Sequence, residues 1–156
     1  MAGRGVDIAR EHGERQPAFS SASEAKPALL SLRDQRLTQL RAWTHRGGAF
    51  AADATPESLN ALESWYFDVV KGGAAALNAT VGDLDEAVGA YFGQVLVDSA
   101  GFEWVVEENP FVPGHYELGV RRGLCTLMLT DGWAPEPLKR NKRKQSLLRQ
   151  FKRYAA

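Results

Sequence analysis

The chain has a single cysteine, Cys125, among its 156 residues. One thiol excludes an internal disulfide framework and any zinc site built from several cysteines. Cys125 sits in the apolar run Leu124-Cys125-Thr126-Leu127-Met128-Leu129, which is the setting of a buried, unreactive thiol. No run of 18 apolar residues is present, so the sequence holds no helical membrane span. The first residues, Met1 to Asp7, lack an apolar stretch of signal-peptide length, and Ala2 stands where myristoylation needs glycine. These absences lead to the expectation of a cytoplasmic protein that does not engage a membrane. His12, His45 and His115 are too far apart to form a metal-binding motif. P-loop, dinucleotide and nucleophile-elbow motifs are missing as well. The expectation is therefore no cofactor, no metal and no catalytic residue. Ile8 is the sole isoleucine, while Ala and Arg are common, a bias that suits a GC-rich bacterial genome.

What is present is ordinary globular material: 44% hydrophobic and 24% charged residues. The length suits one domain. Residues 1–27 mix Gly, Ser, Pro, Glu and Arg without apolar period and read as an irregular tail. Residues 28–156 read as a single α+β domain of three helices, a three-stranded antiparallel sheet and a basic C-terminal helix.

The first helix runs from about Pro27 to Arg46 on Leu30, Leu37, Leu40 and Trp43. The second opens on Thr55-Pro56-Glu57 and carries Leu59, Leu62, Tyr66, Val69 and Val70 on one face. The third begins at Thr80, whose spacing to Asp83 predicts a capping box, and ends at Gly101. Asn78-Ala79-Thr80 also matches a glycosylation sequon, but Thr80 is read as the cap. Gly89 and Gly93, four apart on this helix, suit close packing of another element. After Gly101 the pattern becomes strand-like. Strands are expected over 102–107, 116–121 and 124–129, with a tight turn at Arg122-Gly123. The third strand is the most apolar and is expected to be the most buried. The last helix spans about Glu136 to Tyr154, with Leu147, Leu148, Phe151 and Tyr154 on one face.

The helix Val88-Gly89-Ala90-Tyr91-Phe92-Gly93-Gln94-Val95-Leu96 runs into Gly101-Phe102-Glu103-Trp104-Val105-Val106-Glu107-Glu108. This stretch, within about residues 81–131, resembles small bacterial α+β domains of unknown function with an LGxxLGExL and G-x-EW-VxxE signature. Gln94 stands where that family has Glu. The resemblance implies the fold and, from the settings of some such domains, an immunity-like or accessory role. It assigns no catalytic residue.

The zero net charge conceals a segregation. Residues 72–120 hold eight acids and no Lys or Arg, while residues 121–156 hold ten basic residues and two acids. Candidate basic contacts for a partner are Arg121, Arg122, Lys139, Arg140, Lys142, Arg143, Lys144 and Arg149. The basic helix can neutralise the chain's own Asp83, Asp85, Glu86 and Glu107, meet an acidic protein, or meet phosphates of nucleic acid or a ribosome. Phe111, in the Pro-bounded loop, and Trp133 are candidate aromatic anchors, with packing onto the body as the alternative. Glu107, Glu108 and His115 form the best acid/base cluster, yet adjacent carboxylates on a strand face opposite ways. The favoured function is a non-enzymatic protein-interaction factor that occludes or joins a partner. The alternative is a protein bound to nucleic acid or the ribosome through the C-terminal helix.

Overall fold

The computed structural model describes residues 2–46, 50–72, 77–129 and 146–156. Four helices precede the sheet and one follows it: α1 (Ala2–Arg15), α2 (Ala22–Arg46), α3 (Ser58–Gly72), α4 (Val81–Ala100), β1 (Glu103–Glu108), β2 (Tyr116–Arg122), β3 (Cys125–Met128) and α5 (Ser146–Ala155). The α+β class stands, but the expected irregular tail is replaced by α1 and the opening of α2. The start of α2 follows a local rule. The Ser21 hydroxyl accepts the Glu24 backbone N–H at 3.3 Å, and the Glu24 carboxylate accepts the Ser20 N–H. Pro27 therefore lies inside α2 and not at its start. Helix α1 has no comparable apolar face in the core; it docks through polar groups, which is why apolar periodicity does not show it.

Helix α4 is capped at both ends. Thr80 Oγ1 accepts the Asp83 N–H at 3.1 Å, and Asp83 accepts the Thr80 N–H at 3.0 Å. Gly101 closes the helix in the left-handed region at φ 74°. The Thr80 backbone N–H holds the Asp83 carboxyl below the ordinary carboxylate value, with the Thr80 hydroxyl and the Arg36 charge adding to the effect. A carboxyl lowered in the folded state stabilises above its unfolded value, and this contribution is lost as pH falls through the folded one. Asp83→Asn is expected to be less stable than the wild type at neutral pH, with the gap closing below about pH 4. Melting curves at neutral pH and at about pH 3 check this; a constant gap would rule the carboxylate out as the cause.

Helix α3 is preceded by the expected Thr55 cap, whose hydroxyl accepts the Ser58 N–H at 3.3 Å. The Tyr91 hydroxyl of α4 ties down the approach to it, accepting the Ala54 N–H at 2.9 Å and lying 2.6 Å from Ser58 Oγ. Ala54 sits at φ 59°, a strained value for a residue with a Cβ, so this tie holds an otherwise unfavourable backbone. Burial pushes the Tyr91 phenol pKa up.

The sheet has the order β1-β2-β3, antiparallel throughout, with Trp104 opposite Val120, Val106 opposite Leu118, and Val120 opposite Leu127. Side chains alternate across it. One face, with Trp104, Val106, Leu118, Val120 and Leu127, packs toward α2 and α4. Gly93 of α4 faces Trp104 and Leu129; a Cβ there would stand 2.4 Å from a Leu129 methyl, so this glycine serves the close approach of helix and sheet. Burial of the strands differs from expectation. β2 is the most buried and β3 only half-buried, because β2 is central and β3 lies at the edge. An apolar run does not reveal its place in the strand order. Cys125 is accordingly half-buried and not enclosed. The tight turn falls on Gly123 (φ 60°) and Leu124, one residue later than expected, and Leu124 is fully exposed.

Helix α5 seats Leu147 and Phe151 in the core beside α3 and α4. Its first turn is received by Glu63 of α3, which is only 4% exposed and accepts the Leu147 N–H at 3.0 Å. A carboxylate at a helix N-terminus meets the positive end of the helix dipole.

Candidate functional site

The acidic stretch finds partners close by. Arg36 of α2 ion-pairs with Glu86 and lies 3.6 Å from Asp83. The Tyr66 hydroxyl donates to Asp85 at 2.6 Å, and burial together with that carboxylate pushes the phenol pKa up. Arg121 ion-pairs with Glu107. Among the described residues, the groups that meet these acids come from α1, α2, α3 and β2, and none comes from α5. Lys139, Arg140, Lys142, Arg143, Lys144 and Trp133 lie outside the described residues.

The remaining sequence-derived residues are dispersed. Arg121 also donates to Thr126 Oγ1 at 3.2 Å. Arg122 is an internal clamp. Its guanidinium donates to the carbonyls of Ala100 at 2.9 Å, Tyr154 at 2.7 Å, Ala156 at 3.1 Å and Ala155 at 3.3 Å, and lies over the Phe102 ring. Arg149 is exposed on α5. The Glu107, Glu108 and His115 cluster does not assemble. Glu107 turns to Arg121, Glu108 accepts the Gly114 N–H at 2.8 Å, and His115 Nδ1–H donates to the Gln16 carbonyl at 2.7 Å.

Phe111 is different. It is 44% exposed and is presented by a hydrogen-bonded turn. Asn109 is buried, and its side-chain oxygen accepts the Phe111 N–H at 2.8 Å and the Val112 N–H at 3.1 Å. Asn folding its side chain onto the next N–H groups, with Pro following, is a local turn that costs little chain entropy to hold. Across from Phe111 lies Ile8 of α1, 61% exposed. Between them runs an open groove of about 570 Å³ that also includes Ala9, His12, Glu117 and Met128.

The base of the groove is polar and closed. Glu117 is buried on the outer face of β2, where a lone carboxylate is costly. His12 Nε2 meets its Oε1 at 2.6 Å, and Asn109 Nδ2 lies at 3.5 Å. Gly13 lies against Asn109, where an added Cβ would stand 2.7 Å from the amide. After α1, residues 17–19 run beside 114–116, with the Phe19 N–H on Gly114 O at 2.8 Å and the Tyr116 N–H on Pro17 O at 3.0 Å. Sequence reasoning singled out Phe111 but missed Ile8, His12, Asn109 and Glu117. Glu117 gives no signal of its burial, because in the alternating run Tyr116-Glu117-Leu118-Gly119-Val120-Arg121 it falls at an outward-facing position.

A family model described as "Uncharacterised protein YwmA" matches residues 18–155. The chain belongs to the YwmA family. No curated protein and no solved structure matches the chain. The YwmA match takes in the sheet, α2 to α5 and the Asn109–Phe111 turn, and it begins after α1. One lip of the groove therefore lies within the YwmA stretch, and the other, with Ile8 and His12, lies outside it.

Proposed function

We propose that this YwmA member is a non-enzymatic interaction factor that binds a protein partner along the groove between α1 and the β1–β2 loop. It would occlude the partner, as an immunity-like factor does, or join it as an accessory subunit. The observation that carries this reading is the exposed Phe111, locked by Asn109, facing the exposed Ile8. A rigid aromatic held in water contributes little to the isolated fold and much to a complex. It loses few rotamers on binding and buries a large apolar area, as interface hot spots do. The second reading is phosphate binding through the C-terminal helix. It is supported by Arg149, Lys152 and Arg153, which are exposed on α5 with no carboxylate in ion-pair distance among the described residues.

The test is capture of partners from the native host by the wild type and by Phe111→Asp, with both protein and nucleic-acid readouts. The expected result is a specific protein lost in the variant, with affinity down about 30-fold or more, as befits a hot spot of roughly 2 kcal/mol. The variant's melting temperature should stay within a few degrees of the wild type. Equal capture by both proteins would refute the groove as the contact surface. Capture of nucleic acid that weakens steeply with salt would favour the second reading.

A further inference from the structure

A second concavity, separate from the groove, opens on the inner side of the sheet. It is a cleft of about 140 Å³, room for on the order of ten waters. Its floor is hydrocarbon, made by Leu118 of β2 and by Leu129, both almost fully buried. Its rim carries three guanidiniums, Arg15, Arg33 and Arg36, and a single carboxylate, Glu86.

Two of these arginines are held in position. Arg33 lies over the Trp104 ring, its guanidinium carbon 5.2 Å from the centroid, and donates Nε–H to Asp34 at 3.0 Å. Arg36 ion-pairs with Glu86 and donates to Gln39 Oε1 at 3.0 Å. Its Nε is buried and has no acceptor. Arg33 Nη2 also ion-pairs with Asp34 at 2.9 Å, and Arg36 Nη1 lies 3.6 Å from Asp83. Asp34 is 65% exposed and screened by water, and Asp83 is bound to the start of α4. The cleft thus joins an apolar floor to fixed, planar guanidiniums, of which Arg36 holds a buried Nε–H without an acceptor.

We propose that this cleft binds a small organic carboxylate with a short apolar body. Guanidinium planes match the carboxylate fork and can donate two parallel hydrogen bonds to it. The leucine floor accepts hydrocarbon, which a bare inorganic anion lacks. Glu86 on the rim disfavours a second negative charge, so a monoanion suits the cleft better than a phosphate dianion. The proposal is independent of the protein-binding reading, because neither Phe111 nor Ile8 lines this cleft.

The experiment is calorimetric titration of the whole chain with isovalerate and benzoate, alongside isovaleramide, benzamide and inorganic phosphate. The expected result is saturable binding of at least one acid, with its amide and phosphate each weaker by about tenfold or more. Arg36→Gln should lose that binding. Because Arg36 also pairs with Glu86, Arg33→Gln is the second variant: it removes a guanidinium that stacks on Trp104 and pairs with Asp34, so it should melt cooperatively at a somewhat lower temperature and weaken the acid about tenfold. Phe111→Asp should leave acid binding unchanged, which separates this site from the groove. The proposal is overturned by no saturation with either acid, by an amide or phosphate binding as tightly, or by a folded Arg33→Gln that binds the acid unchanged.

Discussion

Replacing Phe92 with alanine is expected to lower the free energy of unfolding by roughly 3–5 kcal/mol. Phe92 is fully buried on α4, the helix that packs against α2, α3, α5 and the sheet. Its ring meets Tyr154 of α5 edge-on at 6.3 Å between centroids and 71° between planes. Truncation removes the apolar contacts and leaves a cavity that can close only in part, since α4 is packed between other helices and the sheet. A small domain is stable by about 5–15 kcal/mol in all, so the loss is a large fraction of the total. The urea midpoint should fall clearly with the slope unchanged. A midpoint that stays in place would contradict a core centred on α4.

The second large effect belongs to Arg122. Arg122→Ala is expected to cost about 2–4 kcal/mol, because hydrogen bonds from a charged donor are each worth roughly 1.5–3 kcal/mol and the freed carbonyls regain some water. The four carbonyls it holds come from the ends of α4 and α5, where the helix dipoles are negative. One planar group therefore fastens two helix ends together. Arg122→Lys should recover less than half of the loss, since an ammonium cannot span the fork. Denaturation of the three proteins, with hydrogen exchange read on α5, measures both effects. Full recovery by lysine would mean that charge alone matters and the fork does not.

The parts of the fold that were legible share a cause: local chemistry decides them. The Thr80–Asp83 box, the Thr55 cap, the Gly101 stop and the apolar stripe of α4 are all written within a few residues of where they act. The central core was legible too. Leu84, Val88, Tyr91, Phe92, Val95, Leu96 and Leu129 are buried as their spacing requires. Trp104, Val106 and Leu127, on the sheet face that meets them, are half-buried because β1 and β3 are the edge strands. Trp104 keeps its indole N–H on Gln94 at 3.2 Å and its face under Arg33.

What was illegible depends on partners far along the chain. His12 reaches Glu117 across 105 positions, His115 reaches Gln16 across 99, and Leu147 reaches Glu63 across 84. A polar residue shows no sign in sequence of which remote group will satisfy it. The segment 1–27 therefore read as unstructured, although Ser21-Ala22-Ser23-Glu24 carries a helix-start signal that apolar periodicity alone passes over. Of the groove, only Phe111 was visible in advance, because its Asn-Pro turn is local.

The unequal way in which the two sides of the sheet are covered has a consequence for molecular recognition. The inner side is packed by side chains of α2 and α4 around the arginine-rimmed cleft, whereas α1 is attached through the His12–Glu117 contact, the Gly13 seat and the pairing just after it. Elements with few buried apolar contacts open at a free energy well below that of the whole domain. The Phe111 lip is anchored in the body; the Ile8 lip is borne by α1, which among the described residues puts no side chain into the apolar core. A guest entering between them finds a fixed jaw and an adjustable one. Guests of different girth then share one anchor, and discrimination among them falls to the aromatic side.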